Sequence, residues 1–166
     1  MKEPPGFRDF FDLEFSRLRD FAYVLTGSWS EAEELAQEAM VRTLRAWSRI
    51  RERDNPAVYA RTVLVNRRRT LFRRSKLAER HEVVVESRPP SPHDDVEQRT
   101  VVWAALLELP QRQRAAVVLR YYEDLSEAQT AAALGVAVGT VKSLVHKGLA
   151  QLRMNLERSE SLPTNG

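Results

Sequence analysis

Residues 125–153 read LSEAQTAAALGVAVGTVKSLVHKGLAQLR, and their spacing predicts two short helices joined by a tight turn. Ser126 is placed to cap the first helix, with Gln129 three positions on to return the hydrogen bond in a capping box. Ala131, Ala132 and Ala133 keep the packing face of that helix small, and Gly135 stands where the chain must turn through positive φ. Beyond the turn, apolar positions recur at Val141, Val145, Gly148 and Leu152, which is one face of a second helix. Thr140, Lys142, Ser143, His146 and Lys147 are left pointing outward. Hydroxyls and amines on the first turns of such a helix reach phosphates and base edges in a major groove, while the preceding helix braces it across the DNA backbone. A solvated helix pair in an ordinary bundle is the plainer reading of the spacing alone. The turn and capping chemistry favour a DNA-binding helix-turn-helix.

The whole chain has 166 residues, 43% of them hydrophobic, which supports a packed core in one domain or in two small ones. No apolar run reaches the roughly 18 residues of a membrane-spanning helix, and the N-terminus lacks the pattern of a signal peptide. The expectation is a cytoplasmic protein with no membrane insertion. The chain has no cysteine, which excludes disulfides, thiolate metal sites and a thiol switch of its own. The formal net charge is only +3, but charge is unevenly placed. Within 61–80, Arg61, Arg67, Arg68, Arg69, Arg73, Arg74, Lys76 and Arg80 face Glu79 alone, a local +7 that calls for a polyanion or heavy screening. Within 30–47, Glu31, Glu33, Glu34 and Glu38 outnumber Arg42 and Arg45, and this segment is expected to face a different partner.

Helical periodicity dominates the rest of the chain, so the fold class is all-α. Phe7, Phe11, Phe15, Leu18, Ala22 and Leu25 mark a first amphipathic helix ending at Gly27. Ser30 with Glu33 reads as the cap of a second, whose apolar stripe is Ala32, Ala36, Met40, Leu44 and Trp47. Asp54, Asn55 and Pro56 open a third, running to about Lys76. Residues 81–97 hold Pro89, Pro90 and Pro92 and read as an extended linker, with Val83 to Val85 mobile or laid along a partner. Helical period resumes at Val96 through Val101, Trp103, Leu106 and Leu107, stops before Pro110 and restarts near Gln111. These breaks predict two small helical domains, 1–78 and 98–158, joined by a flexible linker over 79–97, with a disordered tail over 159–166.

Three stretches, LTGSWSEAEELAQEAMVRTLRAW at 25–47, NPAVYARTVLVNRRRTLFRR at 55–74 and LPQRQRAAVVLRYYEDLSEAQTAAALGVAVGTVKS at 109–143, together resemble the extracytoplasmic-function class of bacterial sigma factors. These are small promoter-recognition subunits of RNA polymerase. The first two stretches look like regions 2.1–2.2 and 2.3–2.4 of that family, the third like region 4. The resemblance implies that Glu34, Leu35, Gln37 and Glu38 dock on the clamp helices of core RNA polymerase. It implies that Tyr59 and Asn66 meet the melted −10 element, with Arg67, Arg68, Arg69, Arg73 and Arg74 on its backbone and Asn55 contributing from the loop at Arg53 to Asn55. Tyr59 stands where the family usually has tryptophan and is equally readable as a core residue. The resemblance places Arg120, Thr140, Lys142, Ser143, His146 and Lys147 at the duplex −35 element. It also raises an anti-sigma factor as a partner. Gln129, Thr130, Ala137 and Leu144 depart from the family's usual residues, which affects caps and base or phosphate contacts.

A free-standing helix-turn-helix repressor or activator is the alternative, but it leaves the acidic and arginine-rich segments without a joint role. An enzyme is disfavoured. Glu31, Glu33, Glu34 and Glu38 lack a partnered histidine, and His81, His93 and His146 are scattered, so no metal site, cofactor site or nucleophile triad is expected.

Overall fold

The computed structural model describes residues 2–52, 55–75 and 96–161, and the described residues are helical with no strand. Seven α-helices follow in order: α1 (Phe7–Thr26), α2 (Trp29–Ile50), α3 (Pro56–Ser75), α4 (Val96–Leu107), α5 (Gln111–Val117), α6 (Glu127–Leu134) and α7 (Val138–Glu160). A single π-helical turn, Val118–Tyr122, lies between α5 and α6. The linker expected over 79–97 lies almost wholly outside the described residues, as does Arg53.

The first three helices form one bundle. Leu18, Phe21, Ala22 and Leu25 of α1 pack on Ala32, Leu35, Ala36, Ala39 and Met40 of α2 and on Ala60 and Leu64 of α3. The N-terminal end is closed by Trp47, which sits edge-on to Phe7 at 5.2 Å and donates its indole N–H to Pro5 O at 3.0 Å. Gly27 ends α1 in the left-handed region, as the sequence predicts. The start of α2 differs from expectation. Ser28, not Ser30, is the cap: it has extended backbone and its Oγ accepts from Glu31 N–H at 3.4 Å. Thr26 explains the shift, because its Oγ1 accepts from Ser28 N–H and donates to Ser28 O, holding residue 28 at the corner two residues earlier.

The second bundle packs α4, α5 and α6 around α7. Its capping box is present in both directions, Gln129 N–H to Ser126 Oγ at 3.0 Å and Ser126 N–H to Gln129 Oε1 at 2.9 Å. Gly135 then takes φ 66°, which lets α6 stop and α7 leave at a steep angle. Gly148 lets α7 approach α5, since a Cβ there would lie 2.7 Å from Val117 Cγ2 and 3.3 Å from Gln113 O. Asn155 anchors the far end by donating to Ala105 O at 3.1 Å. The helix continues through Glu160, two residues into the segment expected to be a disordered tail, and ends with Ser161 N–H donating to Glu157 O at 3.2 Å. Thr130, at one of the departures noted above, is fully buried, and its hydroxyl has no hydrogen-bond partner. Thr130→Val keeps the shape and removes the unpaired group. It should therefore raise unfolding free energy by about 1 kcal/mol, which urea titration would detect; a loss would mean the hydroxyl is bonded.

The two bundles are packed together. Arg114 of α5 is buried and donates to Val24 O of α1 at 2.7 Å and to Leu107 O and Leu109 O, each at 2.9 Å. Burial pushes its pKa down to about 10, with the charge of Arg68 a second cause, so it remains a cation at neutral pH. Tyr23 and Trp29 stack at 4.0 Å, Trp103 of α4 lies 5.5 Å from Tyr23, and Tyr122 meets Trp103 edge-on. α6 lies against α3.

Candidate nucleic-acid interface

On α7 the two faces separate as the periodicity predicts. Val141 and Gly148 are buried and Val145 and Leu152 partly so, while Thr140, Lys142, Ser143, His146 and Lys147 are all exposed. Ala137 caps α7 without a side-chain hydrogen bond, leaving the first N–H groups of the helix open. Lys142 Nζ approaches Glu127 Oε2 at 3.7 Å with both side chains well exposed, a contact that holds it weakly. Arg120 is placed differently from the rest of its set. It sits in the π-helical turn, half-buried, and donates to Leu125 O, so it braces the turn into α6.

On α3, Asn55 Oδ1 accepts from Ala57 N–H at 3.0 Å and Val58 N–H at 3.4 Å, so this candidate side chain caps the helix. Tyr59 is half-buried, Asn66 exposed, and Arg67 and Arg68 half-buried. Arg69, Arg73 and Arg74 continue the helix, and their side chains lie outside the described residues. Arg61, counted in the basic run, does not face outward. Its side chain is 2% exposed and pairs with Glu14 of α1 at 2.8 Å and with Glu123, itself 2% exposed, ahead of α6. Nothing in the local pattern distinguishes Arg61 from its neighbours; the two glutamates that receive it stand 47 positions before and 62 after.

Burial raises the pKa of the Glu123 carboxyl above the ordinary 4.5, outweighing the pull of Arg61. A carboxyl so shifted holds its proton more tightly in the folded state than in the unfolded one. Its contribution to stability therefore declines as pH rises through the interval above 4.5. Comparing urea midpoints of wild type and Glu123→Gln between about pH 4.5 and about pH 7 should show this decline only in wild type. Parallel curves would assign it elsewhere.

On α2, Glu34 and Gln37 are exposed and Glu38 half-buried, but Leu35 is only 5% exposed and packs in the first bundle. As an accessible docking anchor, Leu35 is therefore corrected: it lies on the Ala32–Ala36–Ala39 stripe that faces α1 and α3. Glu38 joins the two candidate surfaces, accepting from Arg42 at 2.9 Å and from Arg67 at 2.7 Å. Among the described residues no group of three metal-ligating side chains converges, and no single helix is long and apolar enough to cross a membrane.

The family models for sigma-70 region 2 and sigma-70 region 4 match residues 11–77 and 99–152. The RNA polymerase sigma-E factor of Streptomyces coelicolor is 40% identical over 130 residues, covering 76% of this chain and 72% of that one. The chain belongs to the ECF sigma-factor family. The ECF RNA polymerase sigma factor SigL of Mycobacterium tuberculosis is 31% identical over 159 residues, with 90% of this chain and 88% of that protein covered. In fold, the sigma factor resembles RpoE of Bartonella quintana, solved in complex with the anti-sigma factor NepR, at a TM-score of 0.77, 23% identity, and 93% and 98% coverage. A match to both regions in their order disfavours the free-standing regulator, which needs only the helix-turn-helix.

Proposed function

We propose that this sigma factor binds core RNA polymerase and directs promoter-specific initiation. In this reading α7 reads the duplex −35 element with Thr140, Lys142, Ser143, His146 and Lys147, and α3 holds the melted −10 strand with Tyr59, Asn66 and its arginines. Arg120 contributes by positioning α6. The exposed Glu34 and Gln37 of α2, with the half-buried Glu38 beside them, contact the polymerase, where acid and amide groups suit a basic, polar-rimmed interface. The observation that carries the reading is the separation of faces on α7: five polar side chains outward on a helix held from behind by α5 and α6. Residues 1–78 and 98–158 serve as the two functional units. The role requires no catalytic residue or cofactor of the chain itself and places it in the cytoplasm with the polymerase. An anti-sigma factor is a fitting regulator, since one partner covering α2 and α7 would block both contacts.

The test is binding of the purified chain to bacterial core RNA polymerase, followed by transcription from a pool of genomic promoter fragments with and without the chain. Tight binding and new chain-dependent start sites are expected. Absence of binding, with duplex DNA affinity retained, would return the protein to the regulator reading.

A further inference from the structure

Glu38 is shared by two surfaces that the proposed function gives to different partners. Its Oε1 accepts from Arg42 Nε at 3.2 Å and from Arg42 Nη2 at 2.9 Å, one turn along the same helix. Its Oε2 accepts from Arg67 Nε of α3 at 2.7 Å. These bonds take most of what one carboxylate can accept. The Glu38 and Arg67 side chains are 33% and 31% exposed, so the pair is neither sealed from solvent nor fully screened by it.

The charges decide what this cluster can do. One carboxylate between two guanidiniums carries a net +1, and a cluster of that sign does not attract a basic partner. Glu38 becomes attractive to a cation of the polymerase only when one arginine leaves it. Arg42 stays, because it stands on the same helix and holds Oε1 with two N–H groups. Arg67 holds by a single N–H from another helix, and a strand phosphate offers its planar fork a bidentate acceptor instead. A polymerase cation on Glu38 and a phosphate on Arg67 are therefore compatible with each other, and both are incompatible with the pair.

We propose that the Glu38–Arg67 pair is a coupling switch: a cation of the polymerase takes Glu38, Arg67 passes to a strand phosphate, and each event favours the other. This rests on the reading of α2 as the polymerase face and α3 as the −10 helix. It adds that each of the two residues, while paired, withholds the other from its partner. Linkage makes the coupling equal in both directions. For a partly screened ion pair its size falls at the low end of such couplings, about fivefold.

Independent contacts would give losses only: Arg67 variants would harm strand binding, and Glu38 variants polymerase binding. The switch gives a gain on the opposite partner in each case. The experiment measures binding of the full chain to bacterial core RNA polymerase with no DNA present. It also measures binding of the chain alone to a fluorescent mixed-sequence single strand of about 12 nucleotides. Arg67→Met should bind polymerase about fivefold more tightly than wild type, and Arg67→Lys, which keeps the cation, should stay near wild type. Misfolding lowers affinity, so it cannot produce this gain. Glu38→Gln should weaken polymerase binding and tighten strand binding by a similar factor. In Glu38→Gln/Arg67→Met the polymerase affinity should equal that of Glu38→Gln alone, since the two residues act as a unit. Arg45→Gln, an exposed charge on the same helix outside the cluster, should leave polymerase binding unchanged.

Absence of either gain overturns the switch, as does an equal gain in Arg67→Lys or in Arg45→Gln, which would make it a matter of net charge. In those cases the contact reading still stands, provided Glu38→Gln weakens polymerase binding and Arg67→Met weakens strand binding. If Glu38→Gln leaves polymerase binding unchanged and Arg67→Met leaves strand binding unchanged, the contact assignments fall together with the switch. If wild type and Glu38→Gln both fail to bind the strand, the −10 reading of α3 falls and takes the switch with it.

Discussion

Replacing Arg61 with methionine is expected to lower the unfolding free energy by about 3–5 kcal/mol, the loss usual when one partner of a buried ion pair is removed. The guanidinium meets Glu14 and Glu123 and also donates to Ala57 O at 3.0 Å, so its removal strips Glu123 of its cation in a site where that side chain is 2% exposed. Glu14, at 18% exposed, can turn toward water; Glu123 cannot. The raised pKa of Glu123 indicates that even with Arg61 present, burial of its charge costs more than the pairing returns. The double variant Arg61→Met/Glu123→Leu should therefore recover most of the loss, because an apolar pair of similar volume replaces a buried ionic one at little or no cost. Urea unfolding of the three proteins checks this. A loss under about 1 kcal/mol in the single variant, or no recovery in the double, would mean that solvent reaches the pair. The pair joins α3 to the turn ahead of α6, so these variants also report on how firmly the two bundles are held together.

The second large effect is on DNA. Lys142→Ala/Lys147→Ala should weaken duplex −35 binding about tenfold or more and lower the slope of log K against log salt by about 1.8, the counterion release of two phosphates on duplex DNA. Both lysines are exposed on the outward face of α7, and the 3.7 Å contact of Lys142 with Glu127 is too open to compete with a phosphate. The ranking of promoter sequences should stay the same in this variant, because phosphate contacts carry no base information. A change of ranking with an unchanged slope would instead place these lysines on base edges. Folding should be unaffected, since the packed face of the helix, Val141 and Gly148, is untouched.

Much of this was legible in the chain because it depends on neighbours in sequence. The capping box at Ser126 and Gln129, the turn at Gly135, the two faces of α7 and the amphipathic α1 are set by contacts within four residues, and helical period exposes them directly. The linked region 2 and region 4 patterns carried the family for the same reason. Ser30 was a sound local cap, and it lost to Ser28 only because Thr26 holds the corner. Leu35 was misplaced in a different way: one apolar residue among acids fits either a docking surface or a core stripe, and only the packing of α1 and α3 against it selects the core.

By itself, then, the sequence determined seven helices' worth of period, the caps at Gly27, Ser126 and Gly135 and the outward chemistry of the recognition helix, since these follow from short-range geometry. The tertiary structure alone decided which charges are available. Arg61 and Arg67 belong to one basic run, yet Arg61 is sealed between two glutamates distant in sequence and Arg67 shares Glu38 with Arg42. Arg114 became a buried brace between bundles, because a charge's role depends on what the fold brings opposite it, and those partners come from other helices.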